Sequence, residues 1–204
     1  MTREDIMQDL AYARTLAEEG RQAPLIGGAY LVLFGVLLTV AWTAQFFVMS
    51  RPDLHDAWSG AIWMGFGLLA PIGIFALRAR TRSLPGGSSV GNRVDRTVWQ
   101  GVAIAIMAVV AGTVLRSIFT DDFRVTDAIM AAGFALYGVA LYVTASLSSQ
   151  GWLRAFAWLA WAISATLWFY LGAAWAYLFA AAGAVLVLLI PGVVLMMREP
   201  SKVV

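Results

Sequence analysis

The chain has 204 residues, of which 61% are hydrophobic and only 13% are charged. Because a soluble domain typically carries about 25% charged residues, this composition excludes an ordinary soluble domain and predicts an integral protein of the lipid bilayer. The formal net charge of +2, the absence of Cys and the single His exclude a basic nucleic-acid face, thiolate sites and multi-histidine centres, so we expect no nucleic acid, metal or cofactor.

Residues 1–22 predict a short amphipathic helix in the cytoplasm, ahead of the first apolar run. Thr2 and Asp5 approximate a capping box, and Gly20 stands where a helix commonly ends. One face of this helix carries Ile6, Leu10, Ala13 and Ala17. Since the helix holds more acids than bases, it is a poor anchor for an anionic membrane surface. We therefore expect it either to dock on a protein partner or on the cytoplasmic loops, or to be a solvated leader.

The rest of the chain, residues 23–198, is dominated by apolar stretches of about 20 residues, each long enough to cross about 30 Å of hydrocarbon. They predict six transmembrane helices at 24–48, 57–77, 97–119, 127–147, 152–171 and 174–197, followed by a cytoplasmic tail at 199–204. The fifth and sixth spans are separated only by a short uncharged turn around Gly172. The predicted fold class is therefore all-α, a polytopic membrane bundle, arranged either as three helical hairpins or as a repeat of three helices.

The Arg and Lys residues predict the orientation of these spans. Eleven of the fourteen fall in the N-terminal segment, the loop after the second span, the start of the fifth span and the C-terminal tail. Positive residues accumulate on the cytoplasmic side of membranes, so both termini are expected in the cytoplasm. The preference for Arg over Lys is typical of a GC-rich bacterial genome, which predicts the inner membrane. The loop over residues 83–95 contains a Pro-Gly-Gly-Ser-Ser linker and Arg93, and Arg82 and Arg96 flank it.

The interiors of the predicted spans carry no Asp, Glu, Lys, Arg or His. Ionisable residues within the membrane are the usual mark of proton relays, coupled transport and voltage sensing. Their absence argues against a coupled pump, and Ser164 has no His within the bilayer to activate it as a nucleophile. We therefore expect a protein that is not an enzyme.

Two prolines interrupt the second and sixth spans in the same manner. Pro71 and Pro191 each precede an Arg by seven residues and should kink their helices near the cytoplasmic leaflet. Matching breaks in two helices are a pointer to a transporter site, and simple packing is the alternative interpretation.

Aromatic, hydroxyl and small side chains form three further patterns. Trp158, Trp161 and Trp168 share one face of the fifth span. Thr39 and Thr43 share a stripe on the first span. These two patterns predict either an aromatic-lined pocket beside a narrow polar path or interhelical packing. A ridge of small residues, which serves either packing inside the bundle or a homo-oligomer, comprises Gly172, Ala176, Ala180 and Ala184.

Two functions are compatible with these patterns. In the first, the protein is a membrane-embedded sensor or regulatory partner, and its N-terminal helix and Arg-rich loop contact a cytoplasmic protein. In the second, it is an uncoupled small transporter or channel for an apolar or weakly polar solute, with a path near the two kinked helices. A tightly packed interior would favour the first function, and a polar cavity beside the prolines and Trp161 would favour the second.

Overall fold

The computed structural model of the chain describes residues 6–8, 12, 25–51, 53, 57–82, 89–148 and 150–199. Within these residues the protein is helical and contains no strand, which confirms the predicted all-α class. Five helices are long and apolar enough to cross a membrane. These are α1 (Gly28–Met49), α2 (Ala57–Arg82), α3 (Val90–Thr120), α4 (Ala128–Leu147) and α6 (Trp175–Met197).

Helix α5 (Leu153–Phe169) is a shorter apolar helix between α4 and α6. Its 17 residues extend over about 26 Å at 1.5 Å per residue, close to the lower limit of about 17 residues for crossing a bilayer. A turn at residues 170–174 separates α5 from α6. Gly172 in this turn has a φ of +85°, a left-handed conformation that glycine adopts without steric cost.

These segments are helical because a backbone in hydrocarbon finds no water and must pair its own N–H and C=O groups. The hydroxyl groups on the helices follow the same rule, since they donate to carbonyls one turn back. In α3, Thr113 donates to the carbonyl of Val109 at 2.9 Å, and Ser117 donates to the carbonyl of Thr113 at 2.8 Å. At the start of α3, the Ser89 side chain accepts a hydrogen bond from the N–H of Asn92 at 3.3 Å and so caps the helix.

Helices α1 and α4 occupy the centre of the bundle. Helix α1 packs against α2 and α6, while α4 packs against α3 and α5. The rings of Trp42 in α1 and Phe134 in α4 stack with centroids 5.6 Å apart and join the two halves. The fully buried side chains that fill the interior include Phe134, Leu141, Leu153, Leu167 and Leu188.

Helices α2 and α3 lie at the periphery. Among the described side chains of α2 only Ala70 is buried, and α3 is mostly exposed along its length. Their apolar outer surfaces suit contact with acyl chains, since lipid is as apolar as these side chains.

The backbones of α1 and α6 lie in close contact. A Cβ on Gly28 would lie 2.8 Å from the carbonyl oxygen of Gly192, and a Cβ on Gly35 would lie 2.8 Å from the backbone nitrogen of Leu189. Small residues permit this approach where lipid supplies no hydrophobic drive between helices.

Pro191 is buried in α6, just after a π-helical turn at Val185–Leu189. The N–H of Ile190 bonds to the carbonyl of Val185, five residues back. A proline has no N–H and its ring crowds the carbonyl four residues earlier, so the wider turn accommodates Pro191 inside a continuous helix. By contrast, α2 runs through Pro71, which lies on its exposed side.

Candidate functional site

One end of the bundle, here called the Arg-rich end, gathers the start of α1, α3 and α5 with the end of α2, α4 and α6. Exposed arginines surround it, and the described ones are Arg78, Arg80, Arg93, Arg96, Arg154 and Arg198. Polar side chains are also buried at this end, and they make it the candidate functional site.

Asp95 is a buried carboxylate at the Arg-rich end. Helix α3 begins at Val90, seven residues before the expected start of the third span at 97. Asp95 is therefore part of a helix and only 8% exposed, although its position in the sequence indicates a loop. The interior of the expected span carries no ionisable residue, but the longer helix that contains this span does.

The carboxylate of Asp95 is held by donors from its own helix and from α4. The hydroxyl of Thr144 donates to Oδ1 at 2.7 Å, and the side chain of Trp99 supplies a second hydrogen bond. Oδ2 lies against Gly27, where an added Cβ would be only 2.9 Å away. A buried carboxylate requires such donors because burial without them is costly.

Asn92, in the first turn of α3, is hydrogen-bonded to Ile26, which precedes α1. Its Oδ1 accepts a hydrogen bond from the N–H of Ile26 at 2.9 Å, and its Nδ2 donates to the Oγ of Ser89 at 3.1 Å. The bond to Ile26 is buried, so it ties the residues that precede α1 to the first turn of α3. We call the set Ile26, Gly27, Asn92, Asp95 and Thr144 the entry cluster.

A small cavity lies directly beside the entry cluster. It offers about 10 Å³ to the centre of a water molecule, which is close to the minimum for one bound water. Its walls are mostly apolar, and the lining residues with polar side-chain atoms are Asp95, Trp99 and Thr144. The full lining is Leu25, Gly27, Leu31, Asp95, Trp99, Leu141, Thr144, Leu153 and Leu195. The cavity is too small for an organic solute in this conformation.

The C-terminal end of α6 is fixed on two sides at the Arg-rich end. Arg198 donates to the Oε1 of Gln150 at 3.2 Å, and its guanidinium carbon lies 5.3 Å from the centroid of the Trp152 ring. Glu199 forms an ion pair with Arg80 at 3.5 Å. Burial raises the pKa of the Glu199 carboxyl, and the guanidinium of Arg80 opposes the rise.

The three tryptophans of α5 occupy different environments. Trp161 donates its indole N–H to the carbonyl of Ala135 at 3.1 Å and packs over Gly138, where an added Cβ would overlap the indole. Trp158 contacts Trp161 edge to face at 5.0 Å but is 64% exposed, and Trp168 is 50% exposed. The geometry around Trp161 is that of helix packing between α4 and α5.

The threonines and the small-residue ridge also contact neighbouring helices. Thr39 donates to the carbonyl of Gly35 at 2.6 Å and lies 3.4 Å from the carbonyl oxygen of Ala181 in α6, while Thr43 is half-buried. In the ridge, Gly172 is exposed in its turn, and the residues buried inside the bundle are Ala176, Ala180 and Ala184. The described cavity touches neither Pro71 nor Pro191.

The predicted partner-binding face of the N-terminal helix is described only at Ile6, which is helical and exposed. The other members of that face, Leu10, Ala13 and Ala17, lie outside the described residues.

The sequence pattern did not predict the entry cluster, because the apolar run that defines the third span begins only at Thr97. A signal was available, since Asn92, Asp95 and Trp99 are spaced by three and four residues and continue the inward face of α3. In the described part of the chain, no group of three or more His, Cys, Asp or Glu side chains could hold a metal ion. Comparison of the chain with protein-family models, with curated proteins and with solved structures found no match.

Proposed function

We propose that this chain is a non-enzymatic protein of the bacterial inner membrane that spans it six times, with both termini in the cytoplasm. It acts as a regulatory or interaction partner, and a cytoplasmic protein binds its N-terminal helix and its Arg-rich loop. In this proposal α5 is the fifth span, and the Arg-rich end faces the cytoplasm because positive residues accumulate there.

The entry cluster is the observation that carries the proposal. Ile26 follows the N-terminal segment in the chain, Asn92 lies in the predicted Arg-rich loop, and a hydrogen bond joins these two residues directly. A partner that displaces either segment would therefore disturb the buried surroundings of Asp95. Such a link gives an interaction surface a route into the membrane domain.

The packing of the bundle supports this function over transport. Large side chains such as Phe134, Leu141 and Leu188 are fully buried between the helices. The cavity at the entry cluster holds about one water. The hydroxyl of Ser164 donates to the carbonyl of Ala131 at 2.7 Å and so joins α5 to α4.

A photocrosslinking experiment in cells tests the proposed contact surface. A photoreactive residue at Tyr12, which is 67% exposed, is compared with the same residue at Val40, which is 63% exposed on α1. We expect a discrete protein adduct from position 12 and lipid adducts only from position 40. Identical adducts at both positions would contradict the proposal.

A deletion of residues 1–20 tests whether the N-terminal helix is required for function. We expect the shortened protein to remain folded in the membrane while losing the phenotype of the full chain. Solute flux in proteoliposomes tests the competing transport function. Flux that depends on Trp161 and persists after the deletion would replace our proposal with an uncoupled transporter.

A further inference from the structure

Arg198 stands at the point where the apolar part of α6 ends. Helix α6 finishes at Met197, so we expect the guanidinium at the depth at which phospholipid headgroups begin. Trp152, beside the start of α5, lies at the same level, and tryptophan is enriched at this depth of the bilayer.

The guanidinium of Arg198 is held in place by neutral groups. Gln150 accepts its hydrogen bond at 3.2 Å and also accepts the indole N–H of Trp152 at 2.7 Å. The Trp152 ring lies 5.3 Å from the guanidinium carbon, within the range of a cation–π contact. Trp152 is itself packed edge to face against Phe156 at 5.6 Å. The planar fork of the arginine is therefore fixed before any ligand arrives.

Arg198 keeps most of its hydrogen-bonding capacity. A guanidinium has five N–H donors, and Gln150 takes one of them. The side chain is exposed, and among the described residues no carboxylate lies within ion-pair distance of it. The next residue, Glu199, pairs with Arg80 instead. A fixed, unneutralised guanidinium suits the bidentate binding of a phosphate.

The surface below Arg198 suits an acyl chain. Met197, Val193 and Ile190 are all exposed and follow one face of α6 at spacings of four and three residues. This apolar stripe leads away from the guanidinium toward the middle of the bilayer. A phosphate joined to a hydrocarbon chain matches both parts of the surface, whereas free phosphate matches only the first.

We infer that Arg198, Gln150 and Trp152 form a binding site for the phosphate of an anionic phospholipid, whose acyl chain lies along Ile190, Val193 and Met197. Arg198 binds the phosphate directly, Trp152 and Gln150 position the guanidinium, and the exposed Arg154 in the first turn of α5 adds positive potential. This inference requires the membrane domain but not the proposed protein partner.

Native mass spectrometry of the full chain with phosphatidylglycerol tests the site. We expect Arg198→Gln to weaken lipid binding at least about fivefold. Arg116→Gln is the matched control, because Arg116 is also an exposed arginine near the end of an apolar helix, and we expect it to leave binding unchanged. An equal loss in both variants would reduce the effect to general charge and overturn the site.

Two further experiments test whether the guanidinium must be positioned and whether the ligand is a lipid or free phosphate. Gln150→Leu keeps every charge but releases the guanidinium, so we expect a smaller but measurable loss; unchanged binding would overturn the positioned site. Millimolar inorganic phosphate should not displace the lipid, and full displacement would assign the site to free phosphate instead. Thermal unfolding of each variant, measured alongside, verifies that the bundle is intact.

Discussion

Tyr177 donates a hydrogen bond to the carboxylate of Asp127, and this contact joins the first turn of α6 to the residue that precedes α4. The two positions are 50 residues apart and meet at the end of the bundle opposite the Arg-rich end. The backbone N–H of Gly172 donates to the same carboxylate, so the turn between α5 and α6 is held as well. One buried acid thus receives donors from two elements, as Asp95 does at the Arg-rich end.

The substitution Tyr177→Phe should lower the free energy of unfolding by about 1–3 kcal/mol, because a buried carboxylate loses a donor without gaining water. Unfolding in mixed detergent micelles measures the change. Tyr142→Phe is the control, since Tyr142 is 40% exposed and keeps its ring contact with Trp161 as a phenylalanine. Equal effects of the two substitutions would show that the Asp127 contact adds nothing.

The substitution Asn92→Ala should expose the amide of Ile26 to exchange. That N–H loses its buried acceptor, and a loss of about 1–3 kcal/mol corresponds to faster hydrogen exchange by roughly one order of magnitude or more. Exchange of the peptide that begins α1, followed by mass spectrometry, checks this. Thr97→Ala removes a hydroxyl that bonds only within α3, to the carbonyl of Arg93 at 2.9 Å, and should leave Ile26 protected.

The substitution Gly35→Ala should destabilise the bundle by about 1–3 kcal/mol, because the new Cβ meets backbone atoms of Leu189 that cannot rotate away. Gly101→Ala serves as the reference, since open space surrounds Gly101. We expect that second change to be neutral or slightly stabilising. Unfolding curves of the two variants that coincide would contradict the close contact between α1 and α6.

The pair Gly138 and Trp161 should be coupled in a double-mutant cycle. Gly138→Ala places a Cβ against the indole, which can move only by lengthening its bond to the carbonyl of Ala135. In a Trp161→Ala background the same Cβ finds space, so its destabilising effect should shrink by about 1 kcal/mol or more. Strict additivity would indicate that Trp161 lies beside a cavity with room to adjust, as the aromatic-pocket hypothesis expects.

The fold class followed from the sequence because its cause is local. Long apolar runs must be helical in hydrocarbon, and their lengths alone distinguish α1, α2, α3 and α6 from soluble helices. The start of α3 did not follow, since Ser89 caps the helix beyond the apolar run and the polar residues from Asn92 to Asp95 resembled a loop.

The two prolines share a sequence motif but differ in their packing environment. Pro71 and Pro191 share the same local sequence pattern, yet only Pro191 follows a π-helical turn and is buried. The difference arises because α6 lies against the glycines of α1, while α2 touches the bundle along one narrow face.

The sequence by itself determined that the chain is a helical membrane protein with a charged end, because hydropathy and charge are properties of contiguous residues. The tertiary structure alone decided that Asp95 meets Thr144, 49 residues away, and that Trp161 packs over Gly138. Those contacts depend on which helices become neighbours, and helix pairing in lipid is set by close packing and shared hydrogen bonds rather than by the apolar content of any one segment.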